Sequence, residues 1–229
     1  MKASKRHRKN IEKAQPDAIP LEQAVDRLKS FQMTKFDETV EVAIRTGIDP
    51  KQTSQAVRGA YSLPHGIGKQ VRVIAFCEGA DAEKATEAGA IEAGGEELAK
   101  KVEGGWLDFD VAIAHPSMMR YVGKLGRVLG PQGKMPTPKS GTVTPDIGRV
   151  VGEFVAGKIE FRNDAGGVIH APMGKQSFAK EKIVDNVRAF VTHVNSLKPA
   201  GAKGAFIVKV YIKSTMSPSV QVAHSFAQT

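Results

Sequence analysis

Apolar positions along the chain change period several times, and the changes divide it. After Pro20, Leu21, Ala24, Val25 and Leu28 fall on one side of a 3.6-residue repeat, so LEQAVDRLKSFQM reads as an amphipathic helix. FDETVEVAI alternates through Val40, Val42 and Ile44, the mark of a half-buried strand. VRGAYSL gives a second strand, ended by PHGIG. From residue 71 the rhythm is different. VRVIAFCE and DFDVAIA are continuously apolar, as fully buried strands are, with the helical stretches DAEKATEAGA and EELAKKVEGG and a brief AIEAG between them. Strands alternating with helices imply right-handed crossovers and a parallel sheet. TPDIGRVVGEFVAGK adds a helix from Pro145 to Gly157. The first rhythm then returns. KIEFRND and GVIHAP suit a hairpin across NDAGG, and Ile183, Val187, Val191 and Val194 stripe a long helix. GAFIVKVYIKST alternates through Phe206, Val208, Val210 and Ile212.

Neither flank is complete alone. The first third offers one helix and two strands, the last third one helix and about three, and together they make one antiparallel α+β layer. The expected fold is therefore a two-domain α/β protein. A discontinuous α+β domain comes from residues 1–67 and 159–229, and a Rossmann-like domain with a parallel sheet, 68–158, is inserted into it. Glycines near 66–68 and at 157 would serve as hinges. A single continuous α/β domain is the alternative.

Charge sharpens the division. The chain of 229 residues has a formal net charge of +9, with 41 % hydrophobic and 25 % charged residues, so it suits a globular protein with an anionic partner. The outer segments hold 21 basic and 12 acidic residues, whereas 68–158 holds 12 of each. Affinity for polyanions is therefore expected in the outer domain. Residues 1–13, with Lys2, Lys5, Arg6, Arg8 and Lys9, read as a basic arm that a partner would order. No apolar run reaches the length of a membrane span, and the basic start lacks the apolar core of a signal peptide. With Cys77 as the one cysteine, the reading is a reduced buried thiol, a cytoplasmic location and no membrane partner.

Catalytic and cofactor motifs fare poorly. GRVLGPQGKMP (126–136) carries three glycines and two prolines but lacks phosphate-loop spacing. Gly152, Gly157 and Lys158 do have that spacing, yet Ile159 stands where a magnesium-binding hydroxyl is needed, and a helix ending at Gly157 explains them. The six histidines, His7, His65, His115, His170, His193 and His224, are scattered, and no metal motif occurs. Ser177 after Lys175 reads as a helix cap, and Asp108 and Asp110 as solvated residues at a strand entry. No nucleophile–base pair, metal or cofactor is expected, and the protein is read as a non-enzyme. The remaining signals are small polar groups at strand ends of the basic domain: Lys35, Phe36, Thr39 and Glu41; then Asp164, His170 and Lys175; then Thr215, Met216 and Ser217. Hydroxyls and carboxylates of this kind reach 2′-OH groups and base edges of RNA, while Phe or Met covers a sugar or base. Ordinary turns and strand edges would also account for each group.

KFDETVEVAIRTGIDPK, VRGAYSLPHGIGKQVRV, KLGRVLGPQGKMPTPKSGTV, KIEFRNDAGGVIHAPMGK and STMSPSV together resemble the bacterial large-subunit ribosomal protein of the L-one family, in order and over nearly the whole chain. The resemblance implies a two-domain protein of the large ribosomal subunit that binds 23S rRNA and forms the mobile stalk beside the exit site. It also implies contact with deacylated exit-site tRNA to aid its release, translational repression of its own operon through its mRNA, and a monomer when free. Lys35, Phe36, Thr39, Glu41, Asp164, Thr215 and Met216 carry over as contacts for rRNA and mRNA, with His170, Lys175 and Ser217 beside them. Arg127 and Lys134 are candidates for tRNA or rRNA phosphates. Where the family usually has glycine after Thr-Met, this chain has Ser217. Nucleotide-dependent enzymes and general nucleic-acid coating proteins are the competing classes. The first would bind ATP, GTP or NAD, and the second would bind unrelated RNAs equally.

Overall fold

The computed structural model describes residues 4–14, 17–202 and 204–223, so Lys2 and His224 lie outside it. In chain order the elements are α1 (Lys5–Lys13), α2 (Leu21–Lys29), β1 (Thr39–Thr46), β2 (Arg58–Ser62), β3 (Val73–Phe76), α3 (Ala80–Glu87), β4 (Glu92–Gly94), α4 (Glu96–Glu103), β5 (Val111–Ala114), α5 (Met119–Val122), α6 (Gly126–Leu129), α7 (Ile147–Val155), β6 (Lys158–Arg162), β7 (Val168–Lys175), α8 (Lys180–Ser196), β8 (Ile207–Ser214) and β9 (Val220–Val222). The chain separates into two compact units, residues 1–68 with 159–229, and 69–158.

Unit 1 is an α+β layer. Its main sheet has the order β7-β1-β8-β9, with every pairing antiparallel, and β2 and β6 form a two-stranded sheet. Helices α2 and α8 pack on one face of the main sheet. Val40, Val42 and Ile44 of β1 meet Leu21, Val25 and Leu28 of α2 and Ile183, Val187 and Phe190 of α8 in one core. That is why the even-numbered phase of β1 is apolar.

Unit 2 is built on the parallel order β4-β3-β5. All four residues of β3 are buried, as a strand covered on both faces must be. Helices α3 and α7 pack together, α7 also lies on β3 and β5, and α4 packs on β4 and α5. The antiparallel α+β layer and the separate parallel sheet match the expected fold class.

Several local expectations need correction. Residues 5–13 are a helix rather than a free arm. Ser4 accepts the His7 N–H, and a polar stripe of Arg6, Asn10 and Lys13 docks it, so an apolar period could not reveal it. The NDAGG reversal forms, with the Asp164 N–H donating to Val168 O. Its arms then part: β6 pairs with β2 and β7 with β1, leaving only an Asn163–Ile169 bridge of the expected hairpin. Val208 is exposed, because a bulge opposite Arg45/Thr46 shifts the alternation and buries Ile207 instead. Within GRVLGPQGKMP, Gly126–Leu129 form a helical turn that buries Leu129. Ser177 does not cap α8. Its hydroxyl donates to Asp37 Oδ2 at 2.7 Å, and Ala179 holds the cap position. Asp110 is paired with Lys69 at 3.0 Å and with Arg72, which also holds Asp108, so neither acid is simply solvated. The phosphate-loop spacing at Gly152 is absorbed by α7, whose Phe154 is fully buried.

Candidate nucleic-acid interface

At one end of the main sheet, the start of β1, the end of β7 and the end of β8 come together. Antiparallel register sets Thr39 opposite Lys175, and Lys175 Nζ donates to Thr39 Oγ1 at 3.0 Å. On the other side, Thr215 Oγ1 accepts the Thr39 N–H at 3.1 Å, and the Thr215 N–H returns to Thr39 O at 3.1 Å. Glu41 lies opposite Lys213 and pairs with it at 3.3 Å.

The organiser of this tip is a residue that was not singled out, Glu38, only 1 % exposed. Its Oε1 accepts the Thr34 N–H at 3.1 Å and hydroxyl at 2.9 Å, and its Oε2 accepts the Met216 N–H at 3.0 Å. Burial alone would raise this carboxyl. The Met216 N–H, the Ser214 hydroxyl and Thr34 outweigh burial and hold it below the ordinary glutamate range. Arg6 adds a fork: one nitrogen donates to Gln32 O and another to Met216 O, both at 3.0 Å, with Glu38 3.8 Å away. Buried Asn10 exchanges two hydrogen bonds with Gln32. The signal for Glu38 was available. It shares the even phase of Val40, Val42 and Ile44, where an acid must be buried and satisfied. Arg6 and Asn10 gave none.

These bonds fix two short loops and leave their apolar side chains in solvent. Phe36 is 53 % exposed and Met216 49 %, and Met33, three residues before Phe36, is also exposed. Thr34 Oγ1 also lies 3.2 Å from Phe36 O, and the Thr34 and Met216 N–H groups converge on one carboxylate. Lys35 is exposed. The Ser217 hydroxyl accepts the Ser214 N–H, and its one proton has the Pro218 and Ser214 carbonyls as alternative acceptors. No residue other than glycine has positive φ among those described, so serine closes this turn without strain.

Four candidates are placed elsewhere. Asp164 lies beyond the other end of β7, about 20 Å along the sheet at ~3.3 Å per residue. Its Oδ1 accepts the Val168 and Gly166 N–H groups at 2.8 Å each, which holds the carboxyl below its ordinary value. His170 sits mid-sheet opposite Ala43, 3.8 Å from Asp164. In unit 2, Arg127 is exposed. Lys134 is half-buried, donates to Leu107 O at 3.0 Å and lies 5.0 Å over the Phe109 ring.

No group of metal ligands occurs among the described residues, and no described helix is long and apolar enough to cross a membrane. Burial pushes the Cys77 thiol up to about 11, so it is a packing group rather than a nucleophile.

A family model described as the ribosomal protein L1p/L10e family matches residues 28–218. Similar curated proteins are named large ribosomal subunit protein uL1. That of Thermus thermophilus is 51 % identical over 223 residues, covering 96 % of this chain and 97 % of the relative. That of Rhodopirellula baltica is 55 % identical over 222 residues, covering 97 % and 99 %. That of Kosmotoga olearia is 46 % identical over 226 residues, covering 97 % of each.

Proposed function

The chain belongs to the ribosomal protein L1p/L10e family, and on that premise we propose that it is a structural, non-enzymatic constituent of the large ribosomal subunit that binds 23S rRNA through the tip of the main sheet in unit 1. One observation carries the site assignment: Phe36 and Met216 are held exposed on a cationic unit by loops that converge on buried Glu38. Exposing two large apolar side chains on fixed backbone is unfavourable in the free protein, and it suits a surface that receives sugars and bases. Thr39, Thr215 and Lys175 are already oriented by one another, so little ordering remains to be paid on binding.

The same tip binds the messenger of the protein's own operon when that messenger presents the same folded shape, which represses its translation. Unit 2 contacts exit-site tRNA through exposed cations such as Arg127 and aids release of the deacylated form; Lys134 is committed to packing within unit 2. The family membership supports these finer roles.

Crosslinking the purified chain to total RNA of its own cells tests the reading. Recovered sequences should concentrate in one 23S rRNA segment, with one operon leader and tRNA as minor species. An even spread over unrelated RNAs would instead support a general coating protein. Micromolar binding of ATP, GTP or NAD would favour an enzyme.

A further inference from the structure

Of the seven methionines, Met1 lies outside the described residues, and the others divide by exposure. Met173 is buried in the core of unit 1 and Met118 in that of unit 2. Met119 and Met135 are half-buried against the unit 2 core. Only Met33 and Met216 stand in solvent, at 47 % and 49 % exposure, and both belong to the tip of the main sheet.

The backbone around both is fixed. One Arg6 guanidinium donates to Gln32 O and to Met216 O at 3.0 Å each, so the residue before Met33 shares an anchor with Met216. On the other side of Met33, the Thr34 N–H donates to Glu38 Oε1 at 3.1 Å, and the Met216 N–H donates to Glu38 Oε2 at 3.0 Å. Two thioethers are thus presented to solvent from one pair of anchors. Thioethers react with peroxides without first ionising, and access decides which of them react. Cys77 does not compete for the oxidant, because its thiol is fully buried and pushed up to about 11.

We propose that Met216, with Met33 on the same anchors, is a site of reversible oxidation that switches off RNA binding by the unassembled chain. The oxidant is a hydroperoxide. A sulfur lone pair attacks one peroxide oxygen and the O–O bond breaks. The proton of the transferred oxygen passes to the departing hydroxide, which leaves as water; sulfur is oxidised to the sulfoxide and the peroxide is reduced. The product carries a strong hydrogen-bond acceptor on a side chain that serves as the apolar cover for a sugar or base. In the free chain that oxygen is hydrated. Against a nucleotide it must shed its water, and the fixed backbone keeps it at the tip. Bound RNA covers the sulfur, so the free chain is the sensitive form. A thiol-dependent reductase restores the thioether, two thiols becoming one disulfide while the oxygen leaves as water. The inference rests on the RNA-binding reading of the tip.

The full chain is treated with hydrogen peroxide, mapped by peptide mass spectrometry and titrated with a 23S rRNA fragment recovered by crosslinking. Met33 and Met216 should each gain one oxygen before Met118 and Met173 do, and Cys77 should remain a thiol. The oxidised chain should bind the fragment roughly 10-fold or more weakly. Methionine sulfoxide reductases with dithiothreitol should restore the affinity, and RNA bound beforehand should slow oxidation of Met216. Met216→Leu should lose most of the peroxide response, whatever affinity it starts from, while Met33→Leu should keep it. The reverse pattern overturns the assignment to Met216. A chain fully oxidised at Met216 that keeps its native circular dichroism and binds within about twofold of the untreated chain overturns the proposal and leaves the tip reading intact. So does a Met216 that oxidises no faster than Met173. An untreated chain with no preference for the fragment over poly(U) overturns the tip reading, and the switch with it.

Discussion

The two ends of the main sheet carry similar polar residues and use them in opposite ways. At the Thr39 end, carboxylate and hydroxyl groups tie separate loops to one another, and the apolar side chains of those loops stand in solvent. At the Asp164 end, the carboxylate is consumed by its own turn, accepting N–H groups two and four residues on. Both ends are held by hydrogen bonds to a carboxylate, but only at the first do those bonds join loops distant in sequence. A polar residue at a strand end therefore says little until its bonding partners are known. The useful mark is an exposed apolar group whose backbone is held by long-range bonds.

The comparison can be broken or sharpened by substitution. Glu38→Ala should have the largest effect, lowering stability by about 2–4 kcal/mol by chemical denaturation, because buried donors from Thr34 and Met216 lose their acceptor. RNA preference should fall with it. A fully stable variant would mean the two loops do not depend on this carboxylate.

Thr215→Ala and Met216→Ala should each weaken 23S rRNA binding by roughly 1–3 kcal/mol with little change in the salt slope. Equal losses on unrelated RNAs would contradict a reading role for the tip.

The acid limb gives a smaller effect with a definite sign. Glu38 is held below its ordinary range, so its stabilisation is present above the unfolded glutamate value and is lost as pH falls through the lowered folded value. Glu38→Gln should flatten the loss of stability on acidification, read as Tm against pH. A parallel curve would show that Asp164, Asp110 and Glu153, which are also lowered, dominate the limb.

Asp164→Ala should be the mildest. It removes two acceptor contacts on an exposed turn and should cost about 1 kcal/mol of stability. RNA discrimination should remain within twofold of wild type. A loss as large as that of Met216→Ala would erase the distinction between the two ends.

The apolar phases of β1, β3 and α8 appear directly in the sequence, because burial of one face forces a period on the residues. The return of the antiparallel rhythm after residue 158 likewise exposed the discontinuous layer. Other features left no such trace. Helix α1 docks by Arg6, Asn10 and Lys13, whose bonds to carbonyls of a distant loop impose no apolar repeat. The bulge that exposes Val208 comes from pairing with β1, not from composition.

By itself the sequence determined which segments bury which faces, the alternation of strand and helix in the middle, and the confinement of net positive charge to the outer segments. These follow from hydrophobic burial and local geometry, which act over a few residues. Only the tertiary structure decided that Glu38 joins Thr34 to Met216 and that Asp164 serves its own turn. Hydrogen-bond and charge partners lie up to 210 positions apart, and only the folded chain brings them within reach.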